Sequence, residues 1–196
     1  MDDRNQHDRL STRFEPLRDF DNRGFDRGRS VLTEAMWLAV SAAFVKSWIP
    51  GSTHRKLFLR AFGARIGENV VVKPGVRIKF PWRLEIGDHT WIGEDVWIDN
   101  LATVKIGTNC CLSQGAYICT GSHDWSTAAF DLTTGPVTIE DNAWIAAKAV
   151  VAPGVTVGEG AILALGSVAT SNLAPRGIYQ GLPAVLVKQR IVGTRR

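Results

Sequence analysis

Large aliphatic residues recur along most of this chain at a spacing of six. They fall at Ile66, Val72 and Ile78, then Ile86, Ile92 and Ile98, then Ile106, Leu112 and Ile118; they resume at Ile139, Ile145 and Val151, then Val157 and Leu163, and close at Ala169. Corresponding residues of the first three triples lie twenty apart, so two extra residues enter at one corner of each coil. A second register confirms the first. Four residues after each large residue stands a small or β-branched one (Val70, Val76, Thr90, Val96, Cys110, Ala116 and onward), with exceptions at Trp82 and Leu173. A six-residue rung with one large and one small inward residue is a short strand plus a tight corner. Stacked rungs bury a continuous core that no single rung could bury alone. A sandwich strand would alternate with period two and could not hold this register. The pattern predicts an all-β fold, a parallel β-helix of about five triangular coils over residues 65–174. Glycines directly after the large residues (Gly67, Gly87, Gly93, Gly107, Gly158) and nearby Asn or Asp suit corners that need left-handed backbone angles.

Ahead of the repeat the period changes. Leu32, Ala35, Met36, Ala39, Val40, Ala43 and Phe44 recur at helical spacing, and Pro50-Gly51 ends that run. A second short helix is expected over 54–62, so 30–64 is a helical lead-in. The 30–49 helix is too polar and barely long enough to span a membrane. It packs on the main body or lies on a membrane surface. Residues 1–29 carry seven Arg against seven Asp or Glu and little to bury, which predicts a mobile charged arm, and 175–196 forms a C-terminal tail.

Composition narrows the function classes. The chain has 196 residues, 45% of them hydrophobic, enough for one substantial domain plus an appended segment. Its net charge of +4 is spread out, with no stripe of the kind that tracks nucleic acid. Three cysteines (Cys110, Cys111, Cys119) and no signal-peptide pattern point to a reducing compartment, so a cytoplasmic location is expected, at most at the inner face of the membrane.

The stretches WIDNLATVKIGTNCCLSQGAYICTGSHD (97–124) and VTIEDNAWIAAKAVVAPG (137–154), with the ending IYQGLPAVLVKQR (178–190) and the entry segment LFLRAFGARIG, resemble the hexapeptide-repeat acyltransferases. The similarity is to their sugar O-acetyltransferase branch, which includes maltose, galactoside and colanic-acid-type enzymes. Parallel crossovers are normally right-handed; the resemblance implies the left-handed coil of this family. It also implies acetyl-CoA as co-substrate, a sugar or glycan acceptor, and a homotrimer with sites between subunits.

The repeat is interrupted once, between Ile118 and Ile139, which predicts a loop at 124–138 standing off the coil. His123 sits where this loop begins, at the place of the family's catalytic histidine. A sugar hydroxyl is too weak an acid to ionise near neutrality, and a neutral imidazole can take its proton as the oxygen attacks the thioester. The thioester is already activated, so no metal is needed. One ring nitrogen must be held as a donor by a carboxylate or carbonyl, for which Asp99 and Asn100 are candidates, although both also suit a corner. The resemblance places the pantetheine arm against Ala146, Ala147, Ala164 and Gly166, and the CoA phosphates near Lys188, with Arg190 and Arg176 as further basic candidates. Asp124, Trp125 and Trp97 are candidate acceptor contacts.

Cys110, Cys111, Cys119 and His123 also look like a zinc set. The register opposes this, because Cys110 fills an inward position and Cys111 an outward one. A γ-type carbonic anhydrase on the same fold would need a close histidine pair, and His54, His89 and His123 supply none. Trp91, Trp97 and Trp144 each precede an inward residue, so they are expected as one outward row that a trimer would cover. Three functions stay open: O-acetylation of a sugar in exopolysaccharide or capsule assembly, N-acetylation of an amino sugar, and a scaffold without turnover.

Overall fold

The computed structural model describes residues 20–127, 129–191 and 193. These fall into two units, a larger one made of the described residues in 27–121 and from 134 onward, and a smaller one made of those in 20–26 and 122–133. Of the stretch expected to be a mobile arm, residues 1–19 lie outside the described residues.

The larger unit is a parallel β-helix. Its first coil is β1 (Arg65–Ile66), β2 (Val71–Val72) and β3 (Arg77–Ile78), and its second is β4 (Leu84–Ile86), β5 (Trp91–Ile92) and β6 (Trp97–Asp99). The third coil is β7 (Val104–Ile106), β8 (Cys111–Leu112) and β9 (Tyr117–Cys119). A two-stranded ribbon, β10 (Gly121–His123) with β11 (Leu132–Thr134), stands where the sequence predicts a loop. The coil resumes with β12 (Val137–Ile139), β13 (Trp144–Ile145) and β14 (Val150–Val151), then β15 (Thr156–Val157), β16 (Ile162–Leu163) and β17 (Val168–Ala169). The chain ends in β18 (Gly177–Gly181) and β19 (Ala184–Gln189).

Like-placed strands stack into three sheets, β1-β4-β7-β12-β15, β2-β5-β8-β13-β16-β18-β19 and β3-β6-β9-β14-β17. Within these three sheets every pairing is parallel except β18 with β19. The winding exceeds the expected five coils and reaches about six turns. Leu173 bridges to Val157, and β18 continues the second sheet. That explains why Leu173 breaks the small-residue rule: it is a large inward residue of the next turn, buried to 2%. Trp82 breaks it because the two extra corner residues form a 3₁₀ turn at Pro81–Arg83, where its ring stacks on Phe80 and its Nε1 donates to Arg27 O (2.8 Å).

The corner chemistry differs from the expectation in one respect. The left-handed angles fall three residues after the first two large residues of each triple and after Val151, at Asn69, His89, Asp95, Asn109, Asn142 and Lys148, and at Gly75, Gly115, Gly154, Gly160 and Gly166. The glycines directly after the large residues answer to close approach instead. A Cβ on Gly107 would sit 2.2 Å from Asp141 Oδ1, the atom that accepts Thr108 N at 2.7 Å.

The lead-in is α1 (Val31–Val40), a π-helical turn at Ser41–Val45, and α2 (Thr53–Ala61). Ser30 caps α1 by accepting Thr33 N. This segment closes the open edge of the first coil, whose backbone groups would otherwise lack partners. Arg60 donates to Ile66 O, Ser52 Oγ both accepts from Val72 N and donates to Val72 O, and Trp37 Nε1 donates to Ile78 O, one contact for each sheet. Arg55 is fully buried without a carboxylate and donates to the carbonyls of Val45, Ser47, Ile49 and Gly51, which satisfies a helix end from the side.

Candidate active site

His123 ends β10 in the smaller unit. Its Nδ1 lies 2.8 Å from the carbonyl oxygen of Phe130. A carbonyl can only accept, so the nitrogen facing it carries the hydrogen, and in the neutral ring Nε2 then holds a lone pair. Among the described residues Nε2 has no hydrogen-bond partner. The Phe130 ring stacks on the imidazole at 4.3 Å and 4°, and Phe20 meets it edge-on at 5.4 Å. The hairpin tip is tied by Asp124 N to Asp131 O (2.8 Å). The Asp124 carboxylate is engaged by Ser126 Oγ (2.5 Å) and Ser126 N (2.9 Å), which hold it below the usual carboxylate range. Asp124 therefore shapes the turn. Trp125 beside it is 82% exposed and free to meet a ligand.

Of the two residues expected to orient the ring, Asn100 is engaged elsewhere, and Asp99 keeps its buried Oδ1 without a hydrogen bond among the described residues. Asn100 is completely buried, and its amide is spent on the equivalent position one coil earlier: Phe80 N donates to Oδ1 (2.9 Å) and Nδ2 donates to Phe80 O (2.6 Å). It is a corner residue, and a catalytic role has no free atom to work with. Asp99 faces Lys79 Nζ (3.6 Å) and the Tyr117 hydroxyl (3.3 Å), the latter also 3.2 Å from Cys119 Sγ. Burial, and then the neighbouring Cys119 and Asp99, push the Tyr117 phenol up.

Trp97 is also corrected. It belongs to the third sheet, between Arg77, whose guanidinium lies 4.6 Å over the ring, and Tyr117, stacked at 4.5 Å. Its two neighbours come from the strands on either side, so neither ring face is open to a sugar. Trp91 and Trp144 form the outward row without it, on the second sheet with Cys111 between them. They are 54% and 44% exposed.

The small residues expected around the pantetheine arm do come together. Ala146 and Ala147 turn the corner after β13, and Ala164 and Gly166 turn the matching corner of the next coil, with Gly166 N donating to Ala147 O (3.0 Å). Nothing lies within 4 Å of a Cβ built on Gly166, so the backbone there is open. Lys188 is exposed on β19 opposite Ile178. Arg190 is committed, since its Nη1 donates to Asn142 O (2.9 Å) and Gly160 O (3.0 Å). A groove of about 750 Å³ runs along the first sheet past Arg65, Glu85 and Lys105 and contains none of the candidate site residues.

Among the described residues no group of three or more His, Cys, Asp or Glu is placed to hold a metal ion. Cys110 is buried, its thiol donates to Glu140 O, and burial pushes it up to about 11, which makes it a poor thiolate.

A hexapeptide-transferase family, described as bacterial transferase hexapeptide (six repeats), matches residues 136–169. The chain is 38% identical over 171 residues to the colanic acid biosynthesis acetyltransferase WcaF of Escherichia coli (strain K12), covering 86% of this chain and 93% of that one. The chain belongs to the hexapeptide-repeat acetyltransferases. The coil is thus the left-handed parallel β-helix of that family. Galactoside O-acetyltransferase of Escherichia coli (strain K12) is 25% identical over 138 residues, covering 69% and 68% of the two chains. The hexapeptide-repeat acetyltransferase VCA0836 of Vibrio cholerae O1 biovar eltor, solved as a complex with acetyl coenzyme A, superposes with a TM-score of 0.75 at 24% identity, covering 82% of this chain and 88% of that one. That superposition supports the fold.

Proposed function

We propose that this acetyltransferase moves the acetyl group of acetyl-CoA to a hydroxyl of a sugar or glycan, with His123 as general base. The observation that carries this reading is the Phe130 carbonyl on Nδ1, which fixes the tautomer and leaves Nε2 as the acceptor of a proton. Nε2 takes the hydroxyl proton as the sugar oxygen bonds to the thioester carbon. The tetrahedral oxyanion then collapses, the C–S bond breaks, and the CoA sulfur leaves with the proton held on His123. No covalent enzyme intermediate is required.

The similarity to a colanic acid biosynthesis enzyme and to a galactoside O-acetyltransferase supports a sugar acceptor in polysaccharide assembly. The open corner at Ala147 and Gly166 suits the pantetheine arm, because small side chains let it reach backbone groups. Trp125 is the acceptor contact this reading keeps. The exposed Trp91 and Trp144 row supports a homotrimer. Acetyl-CoA is a charged nucleotide made in the cytoplasm, which supports a cytoplasmic reaction, and a location at the inner face of the membrane is part of this proposal. No helix among the described residues is long and apolar enough to cross one.

The test is CoA release with a panel of neutral and amino sugars, for wild type and His123→Ala. Loss of about two to four orders of magnitude in kcat, the scale of a general base, is expected. Full activity in the variant refutes the mechanism. An alkali-stable product formed only with amino sugars would replace O- by N-acetylation.

A further inference from the structure

The lead-in helix is built inside out. A surface helix turns its apolar stripe to the protein and its polar residues to water. In α1 and the turn that continues it, the stripe facing the coil is Trp37, Ser41 and Val45, each buried. By helical spacing Leu32, Met36, Ala39 and Ala43 fall on the opposite side. Leu32 is 71% exposed and Met36 52%. The polar side chains of the segment are the ones drawn inward: Thr33 and Glu34 are half-buried, Glu34 is paired with Arg27 (2.7 Å), and Ser41 is buried. Beyond the turn, Trp48 is 74% exposed and Ile49 follows it. The result is a helical cap whose outer surface is apolar.

The charge around this surface is mostly of one sign, with Glu94, which lines the groove beside Trp48 together with Lys73, as the exception. Residues 27–60 contain six Arg or Lys and a single acid, Glu34. Glu34 is neutralised by Arg27, while Arg29 and Lys46 are exposed and Lys56 is half-buried on α2. A second copy of the cap would bring like charges together around its apolar contact. A nucleic acid would satisfy the charges and leave the leucine, methionine and tryptophan in water. An anionic lipid interface satisfies both, because it offers negative headgroups above an acyl layer, and tryptophan partitions to that boundary. The helical run is too short to span the bilayer, so it lies in the interface.

We infer that the outer face of this cap, Leu32, Met36, Trp48 and Ile49 with Lys46 and Lys56, binds an anionic phospholipid surface peripherally. This rests on the membrane-face location given above and names the surface and lipid chemistry; it does not depend on the acetyl transfer. It would bring the enzyme to acceptors carried on lipids.

The test is flotation of the full chain with vesicles of phosphatidylcholine alone or mixed with phosphatidylglycerol. Binding to the mixed vesicles is expected, lost at about 1 M salt, where the screening length falls to about 3 Å. Lys46→Glu with Lys56→Glu should weaken binding at least about tenfold, since each basic residue near an anionic surface contributes severalfold. Leu32→Glu with Met36→Glu should abolish it, and the milder Trp48→Ala should weaken it, which keeps the test valid if the double variant folds poorly. CoA release with a water-soluble sugar should be the same in all of these variants as in wild type. Equal binding of wild type to both vesicle types, or no binding to either, overturns the inference and leaves the acetyl transfer standing. It is equally overturned if Leu32→Glu with Met36→Glu lowers the mass of the lipid-free protein in light scattering, for then the face joins copies of the chain.

Discussion

Replacing Asn100 separates a structural from a catalytic role most cleanly. Its side chain does for Phe80 what a neighbouring strand would do, accepting from Phe80 N at 2.9 Å and donating to Phe80 O at 2.6 Å. Both residues are buried to 1% or less, so no bulk water is at hand when the amide is removed. Phe80 O keeps Arg83 N as a donor (2.9 Å), so Asn100→Ala takes a buried partner chiefly from Phe80 N, and a destabilisation of about 1–3 kcal/mol is expected. Asn100→Leu fills the volume and leaves no room for a rescuing water, so it should fall at the upper end. Urea unfolding of both variants measures this, with CoA release assayed well below the transition. Activity per folded molecule should stay within a few-fold of wild type. A loss of less than about 1 kcal/mol, or a hundredfold drop in turnover in a fully folded variant, would show that Asn100 works in the chemistry after all.

Three further outcomes follow from the same geometry. Phe20→Ala should lower kcat about two- to tenfold, the worth of one aromatic contact on the proposed catalytic ring of His123, with Phe20→Leu between; an unchanged kcat in the alanine variant refutes a positioning role. Trp91→Glu with Trp144→Glu should give a smaller species by light scattering, since together they expose roughly 250 Å², up to about 6 kcal/mol per subunit if covered; an unchanged mass sinks the trimer face. The Cys110 thiol, raised from 9.0 to about 11, should cost stability as pH climbs. The unfolded chain loses that proton from pH 9.0 upward and the folded one holds it, so the loss runs at about 1.4 kcal/mol per unit up to pH of about 11, and Cys110→Ala should flatten that slope.

The coil was legible because its rule is periodic and local. Every large residue placed inward from Ile66 to Ala169 is buried. Even the two misfits had readable causes, a corner insertion at Trp82 and the opening of another turn at Leu173. The three tryptophans do not form a single row. Trp91 and Trp144 precede the second large residue of their triples and Trp97 the third, so the register already assigned Trp97 to another sheet. The corner glycines were found for the wrong reason, since the sequence marks glycine without saying whether backbone angle or a neighbouring Asp demands it.

What the sequence could not carry is chemistry done by the backbone. The group that fixes the His123 tautomer is the Phe130 carbonyl, and any residue at that position offers the same oxygen. Side-chain identity points instead to Asp99 and Asn100, of which Asn100 is spent on Phe80. Phe20 lies more than a hundred positions from His123 in a charged stretch with no period to read. Both omissions sit in the smaller unit, where a six-residue rule does not apply. The solenoid explains itself because each rung repeats the last. The candidate catalytic residue stands where the repetition stops, and there the interruption marks the place while only coordinates supply the partners.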